Sequence, residues 1–214
     1  MSDMRPEHKR IVIARTLDDV ERLRTVWEAV QWHPNSDIDQ YMEVLKASEG
    51  KSEPYVMVLK ENSEVRAILV GRIGKISFDV KLGYKTLMRP QVKALTFIYG
   101  GYLGEDSEDN CRAFIEQVNH RLKSGDADLA FFNNPRVDTN LFKAITTLPD
   151  RRCRDNTFIK NIHWTMKMPS SIEEFYSSMT AKHRYWLKRI PKVLDKEYPG
   201  KVKYKYIKNP GSNS

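Results

Sequence analysis

Three consecutive stretches decide the fold: Val92-Lys-Ala-Leu-Thr-Phe-Ile-Tyr-Gly-Gly-Tyr-Leu-Gly104, Glu105-Asp-Ser-Glu-Asp-Asn-Cys-Arg-Ala-Phe-Ile-Glu-Gln-Val-Asn-His-Arg-Leu-Lys123 and Ala127-Asp-Leu-Ala-Phe-Phe132. The first opens with a β-rich run over residues 92–99 and continues into a glycine-punctuated segment that reads as a turn. The second repeats its apolar residues every three or four positions, which predicts a helix over 108–123 with Cys111, Phe114, Ile115, Val118 and Leu122 on its buried face. The third is a compact apolar strand. With a helix between them, the two strands are expected to be neighbours in one sheet.

Working outward, residues 10–15 read as a strand. Thr16 is a good N-cap for a helix whose apolar positions run from Leu17 to Val30. His33-Pro34-Asn35 breaks it, and Ser36 or Asp37 caps a second helix with Ile38, Tyr41, Met42 and Leu45 on one face. Residues 54–60 and 64–71 form a hairpin around Glu61-Asn62-Ser63, and strands are expected at 75–80 and 84–88. Beyond the second deciding strand come a short helix over 138–146 capped by Asp138 and a strand over 157–168. Met168-Pro169-Ser170-Ser171 marks a junction, and Ser171-Ile-Glu-Glu174 is a capping-box signature. The expected division is a body over 1–168 and a tail over 169–214.

Charge separates the same two parts. Ten Lys/Arg and two Asp/Glu lie between Lys182 and Ser214, a net +8, while residues 1–181 hold twenty-six of each. A pI near 9.4 therefore describes the tail and not the body. With 40% hydrophobic and 30% charged residues the composition is that of a globular protein. No apolar run approaches the roughly 18 residues of a membrane span, and the N-terminus lacks a signal-peptide apolar stretch. Cys111 and Cys153 give no disulfide framework, which fits a cytoplasmic location. The five histidines, at 8, 33, 120, 163 and 183, have no metal-ligand spacing, so no metal is expected.

The element order is similar to that of the acyl-CoA N-acyltransferase fold of the GNAT superfamily. The fold this implies is α/β layered, with a mixed, largely antiparallel central sheet flanked by helices. The segment from Ser170 to Arg189 resembles the entry to the second module of cellulose-biosynthesis-type (CelD/BcsL-like) tandem acetyltransferases and, more distantly, of Fem-type peptidoglycan aminoacyltransferases. There a short helix, a Ser or Thr, a Lys/Arg-rich amphipathic helix and a strand follow one another; the strand here would be 201–207. The resemblance implies a partner: a C-terminal GNAT-like module. It also implies acyl transfer from acetyl-CoA or another acyl-CoA to an amine or hydroxyl of a small-molecule or saccharide-like acceptor, linked to polysaccharide or cell-envelope synthesis.

Residue chemistry limits what this part can do. GNAT proteins hold the CoA pyrophosphate on backbone N–H groups at a Gln/Arg-x-x-Gly-x-Gly/Ala turn and the positive end of the next helix. Tyr99-Gly-Gly-Tyr-Leu-Gly104 has the glycines without that pattern, and Glu105, Asp106, Glu108 and Asp109 repel a pyrophosphate. This chain on its own is then expected to lack a working acyl-CoA site. Candidates for catalysis are His33, Tyr99, Tyr102 and His183. Trp32, His33 and Asn35 could meet an acceptor, unless Asn35, Ser36 and Asp37 serve only to start a helix. Lys182, Arg184, Lys188 and Arg189 could reach CoA phosphates.

The tail carries an apolar stripe, Trp186, Leu187, Ile190, Val193 and Leu194, that is expected to be less buried than its apolarity warrants or to fold back imperfectly on the body. Pro191 in that stripe should kink or end its helix. The alternative function is a non-enzymatic module presenting this basic helix to nucleic acid or anionic lipid. A long groove-reading helix is disfavoured by Pro191, so nucleic acid is the lesser expectation.

Overall fold

The computed structural model of the protein describes residues 9–155, 162 and 169–203. The chain forms two compact units, Met1–Phe158 and Ile159–Ser214.

The first unit is built on a sheet whose strands are β1 (Lys9–Ala14), β2 (Ser52–Pro54), β3 (Val56–Glu61), β4 (Glu64–Ser77), β7 (Gln91–Gly104) and β8 (Leu129–Phe132). Their order is β1-β3-β4-β7-β8, with β2 also paired to β4. Among the described residues every pairing in this sheet is antiparallel except β7 with β8, which run parallel with Ala94 opposite Leu129 and Phe97 opposite Phe132. The two deciding strands are therefore neighbours, as their order requires. A separate ribbon, β5 (Val80–Leu82) with β6 (Lys85–Met88), lies between β4 and β7 in sequence.

Sequence alternation sorts the core onto two sides of the sheet. Tyr55, Met57, Leu59, Ala67, Leu69, Leu95 and Phe97 face α4 (Glu108–Lys123) and α5 (Asn140–Thr147). Val56, Val58, Ile68, Val70 and Leu103 face α1 (Leu17–Glu21), α2 (Arg24–Val30) and α3 (Ile38–Ala47). The continuous apolar runs at 55–59 and 67–70 thus belong to central strands covered on both faces.

Several local expectations are corrected. The single helix expected from Thr16 is two, because Leu23 N–H bonds to Val20 O in a tightened turn and Leu23 then starts α2 with no side-chain cap. Residues 75–77 extend β4, and Val80 begins the ribbon. Residues 100–104 are not the turn into α4 but the end of β7; the turn is Glu105-Asp106-Ser107, with Ser107 as N-cap. Thr139, not Asp138, caps α5, because the Asp138 carboxylate is taken by Arg136 at 2.7 Å. Asp37 is the residue that caps α3.

In the second unit, α6 (Ile172–Ser177) starts at Ser171, whose hydroxyl accepts the Glu174 N–H. Glu174 closes no box on Ser171. Its carboxylate instead accepts from the N–H and hydroxyl of Ser170. The basic helix α7 (Ala181–Glu197), capped by Thr180, continues through Pro191 rather than ending there. Proline has no N–H, so the helix runs on with one internal bond fewer. None of its residues is buried; Trp186 and Ile190 are exposed, and Leu187, Val193 and Leu194 half-buried. The expected strands at 157–168 and 201–207 fall mostly outside the described residues.

Candidate functional site

Where β7 and β8 part, the first unit opens into a cleft of about 420 Å³. The last rung is the Asn133 N–H to Phe97 O bond at 3.0 Å. Beyond it Asn133-Asn134-Pro135 turns away, Asn134 taking the left-handed conformation with φ 48°. On the other side β7 departs from the ladder too. Leu69 pairs with Tyr102 and Gly71 with Phe97, so four residues, Ile98 to Gly101, stand opposite Val70 alone. A bulge of this kind bends its strand and re-aims side chains. Gly100 has φ 74°, and a Cβ there would come within 2.8 Å of His33 Cβ. Only glycine fits the bend.

The floor is apolar, with Leu69, Phe97, Phe132 and Leu141, the Phe97 and Phe132 rings stacked at 4.6 Å. The rim is aromatic and polar: Trp32, Tyr99, Tyr102, Asn133, Asn134, Thr139, Asp106 and Arg136. The loop after α2 supplies the Trp32 wall and is fixed from below. The buried Trp27 ring donates its Nε1–H to Ser36 O at 2.7 Å, and the Ser36 hydroxyl bonds to His33 O at 2.8 Å. Trp32 is half exposed, and its Nε1–H donates to Tyr102 O at 3.1 Å across the mouth of the cleft.

The predicted catalytic and acceptor residues of this unit divide clearly. Trp32, Tyr99 and Tyr102 come together in the cleft. His33 packs edge-on against Tyr99 at 4.6 Å, and its Nδ1 accepts the Asn35 N–H at 3.1 Å. That bond leaves Nε2 as the protonated position of the neutral ring, so His33 acts here as a cap and a prop for Tyr99. Asn35 is exposed and does not line the cleft. Tyr102 donates to Glu105 O at 2.6 Å, and burial, with Cys111 beside it, pushes its hydroxyl far above the ordinary tyrosine value. It is no base.

The anion-binding test is negative. The β7–α4 turn has no glycine and leads into Glu108 and Asp109 in the first turn of α4. Asp106 sits at the start of α5, its carboxylate accepting the Asn140 N–H at 3.4 Å and the Cys111 thiol at 3.2 Å. Both helix N-termini beside the cleft thus already hold carboxylates of the chain itself. Arg136, the one cation among the described residues that line the cleft, is paired bidentately with Asp138, at 3.2 and 2.7 Å. Among the described residues no group of His, Cys, Asp and Glu could hold a metal ion.

The remaining candidates lie in the second unit. His183 is exposed in the first turn of α7, where its N–H meets the Thr180 hydroxyl. Arg184 donates to Met179 O at 3.1 Å, Lys188 sits over the Tyr176 ring and Arg189 over Trp186. Lys182 is exposed. The residues that sequence reasoning missed are Arg136, Asn133, Asn134 and Thr139. Their signal was present: Asn-Asn-Pro directly after a parallel strand marks its carboxyl end, where open α/β sheets bind ligands.

No family model and no curated protein matches the chain. Among solved structures, a ribosomal-protein-alanine N-acetyltransferase from Brucella melitensis biovar Abortus 2308 is similar at 13% identity over 74% of this chain and 100% of its own, with TM-score 0.38. A probable acetyltransferase is similar at 16% identity over 75% and 99%, with TM-score 0.39. A transcriptional regulator from Bacillus halodurans C-125 shows 13% identity over 76% and 99%, with TM-score 0.38. Likeness of this degree does not bear on function. The fold, a mixed and mostly antiparallel sheet flanked by helices, rests on the strand order and register above. Among the described residues no helix is long and apolar enough to cross a membrane.

Proposed function

We propose that the chain is a GNAT-like module of a two-module acyltransferase, contributing the acceptor side of the reaction. The β7–β8 parting carries this reading. It supplies an apolar floor for a ligand, while the carboxylates at both neighbouring helix starts disfavour a pyrophosphate. Acyl-CoA would be held by a partner module with its own phosphate-binding turn.

The rim suits a saccharide-like acceptor. Trp32 and Tyr99 offer ring faces to a sugar's C–H surface, and Asn133, Asn134 and Thr139 offer amide and hydroxyl groups to its hydroxyls. Transfer to an amine or hydroxyl needs a base on the acceptor and donors for the developing oxyanion. With Tyr102 held protonated and His33 engaged at Nδ1, the module supports acceptor placement and leaves deprotonation to its partner. A place in polysaccharide or cell-envelope synthesis follows from that acceptor class.

Calorimetric titration of the chain with acetyl-CoA is the test. No binding is expected up to about 1 mM, which corresponds to less than about 4 kcal/mol of affinity. Micromolar binding, or turnover by this chain alone, would overturn the reading in favour of a self-sufficient enzyme. A panel of amino sugars should quench tryptophan emission, and Trp32→Phe should abolish that response.

A further inference from the structure

The ribbon between β4 and β7 has no role in the cleft. Among the described residues β5 and β6 pair only with each other, and none of those from Phe78 to Arg89 is buried. Leu82 is 73% exposed, Leu87 57% and Met88 61%, and Tyr84 in the connecting turn is fully exposed. In the register Met88 stands opposite Val80 and Lys85 opposite Leu82, with the ladder broken between Val80 and Lys81, and Leu82, Tyr84, Leu87 and Met88 leave an exposed apolar face. A lone two-stranded ribbon is marginal in water and is stabilised by covering such a face.

Its charge says what covers it. Residues 75–93 hold Lys75, Lys81, Lys85, Arg89 and Lys93 against Asp79 alone, in a body whose residues 1–181 are balanced overall. Asp79 is engaged by Arg89 at 2.7 Å. At the base of the ribbon Lys75 of β4 stands directly opposite Lys93 of β7. Like charges placed across a ladder cost stability, and the Asp128 carboxylate, which accepts the Lys93 N–H at 2.7 Å, lies beside this pair. A second copy of the ribbon would bring the same sign of charge and be repelled. An apolar tip ringed by cations matches an anionic lipid surface, with the tip in the acyl boundary and the lysines among headgroups.

We propose that the β5–β6 ribbon is a membrane-contact element that inserts Leu82, Tyr84 and Leu87 into the interface of an anionic bilayer. This is independent of the cleft and of the acyl-transfer reading.

Co-sedimentation of the full chain with phosphatidylcholine vesicles containing about a quarter phosphatidylglycerol, and with pure phosphatidylcholine, tests it. Binding is expected only to the anionic vesicles and should weaken with salt. The variant L82S/Y84S/L87S should lose at least about tenfold in partitioning. Its circular dichroism should match the parent, since none of the three residues packs in the core. Absence of binding to anionic vesicles overturns the proposal. So does binding that the triple variant leaves unchanged, which would assign the contact to α7. A concentration-dependent dimer abolished by the same variant would overturn it too, making the ribbon a self-association arm.

Discussion

Gly100 shows how much of the site depends on one missing methyl group. Its φ of 74° and the approach of His33 leave no room for a side chain, and His33 in turn props Tyr99. Gly100→Ala should destabilise the first unit by about 1–3 kcal/mol, combining left-handed strain with the clash. It should also move the Trp32 loop. Urea unfolding followed by tryptophan emission reads both, and an unchanged midpoint would mean that the bulge can relax around the methyl. A second residue-scale effect comes from Cys111. Burial, and the Asp106 carboxylate that accepts its S–H, push the thiol up from 9.0 to about 12. The folded state therefore keeps the proton that the unfolded chain gives up first. Stability should be unaffected by this group below about pH 9 and should fall as pH rises from 9 to 12. Burial also raises Tyr41 and Tyr102, whose loss begins nearer pH 10. Cys111→Ala should thus make the stability profile less steep between pH 9 and 12, with the tyrosine contribution remaining above pH 10, as read by chemical denaturation at stepped pH.

Among the elements, those with strong periodicity were legible. The bounds of α4 follow from its apolar spacing. The hairpin at Asn62-Ser63 follows from turn residues that tolerate positive φ, here 50° and 71°. What failed shares one cause: local signals have more than one structural use. Glycines that mark turns also mark bulges, so residues 100–104 read as a loop while the chain stays in β7. Asp138 is a good cap by type, but Arg136 two residues away claims its carboxylate. Pro191 is a helix breaker by type, yet α7 runs past it. That last case has a measurable side. Replacing Pro191 with Ala restores a donor for the Leu187 carbonyl, so helix content should rise and α7 gain about 1–3 kcal/mol. Far-UV circular dichroism with thermal unfolding checks it. A loss of helix would show that Pro191 is fitted to a bend that alanine cannot hold.

For the whole molecule, strand neighbours were readable because a β-α-β order admits few arrangements. The cleft was not, since it arises where two strands stop being neighbours, and no residue announces that by itself. Charge was half legible. The balance of residues 1–181 hides a cationic ribbon, because a sum over a body erases its patches. The parting of β7 and β8 also bears on the timing of any ligand's arrival. The Trp32 indole already occupies the Tyr102 carbonyl at the mouth. A guest that lies against the ring leaves that bond in place and can come and go at diffusional speed. One that seeks the strand edge must wait for the indole to leave, so its arrival rate would level off at high concentration at the rate of that departure. The cleft would then sort its visitors first by patience and only afterwards by fit.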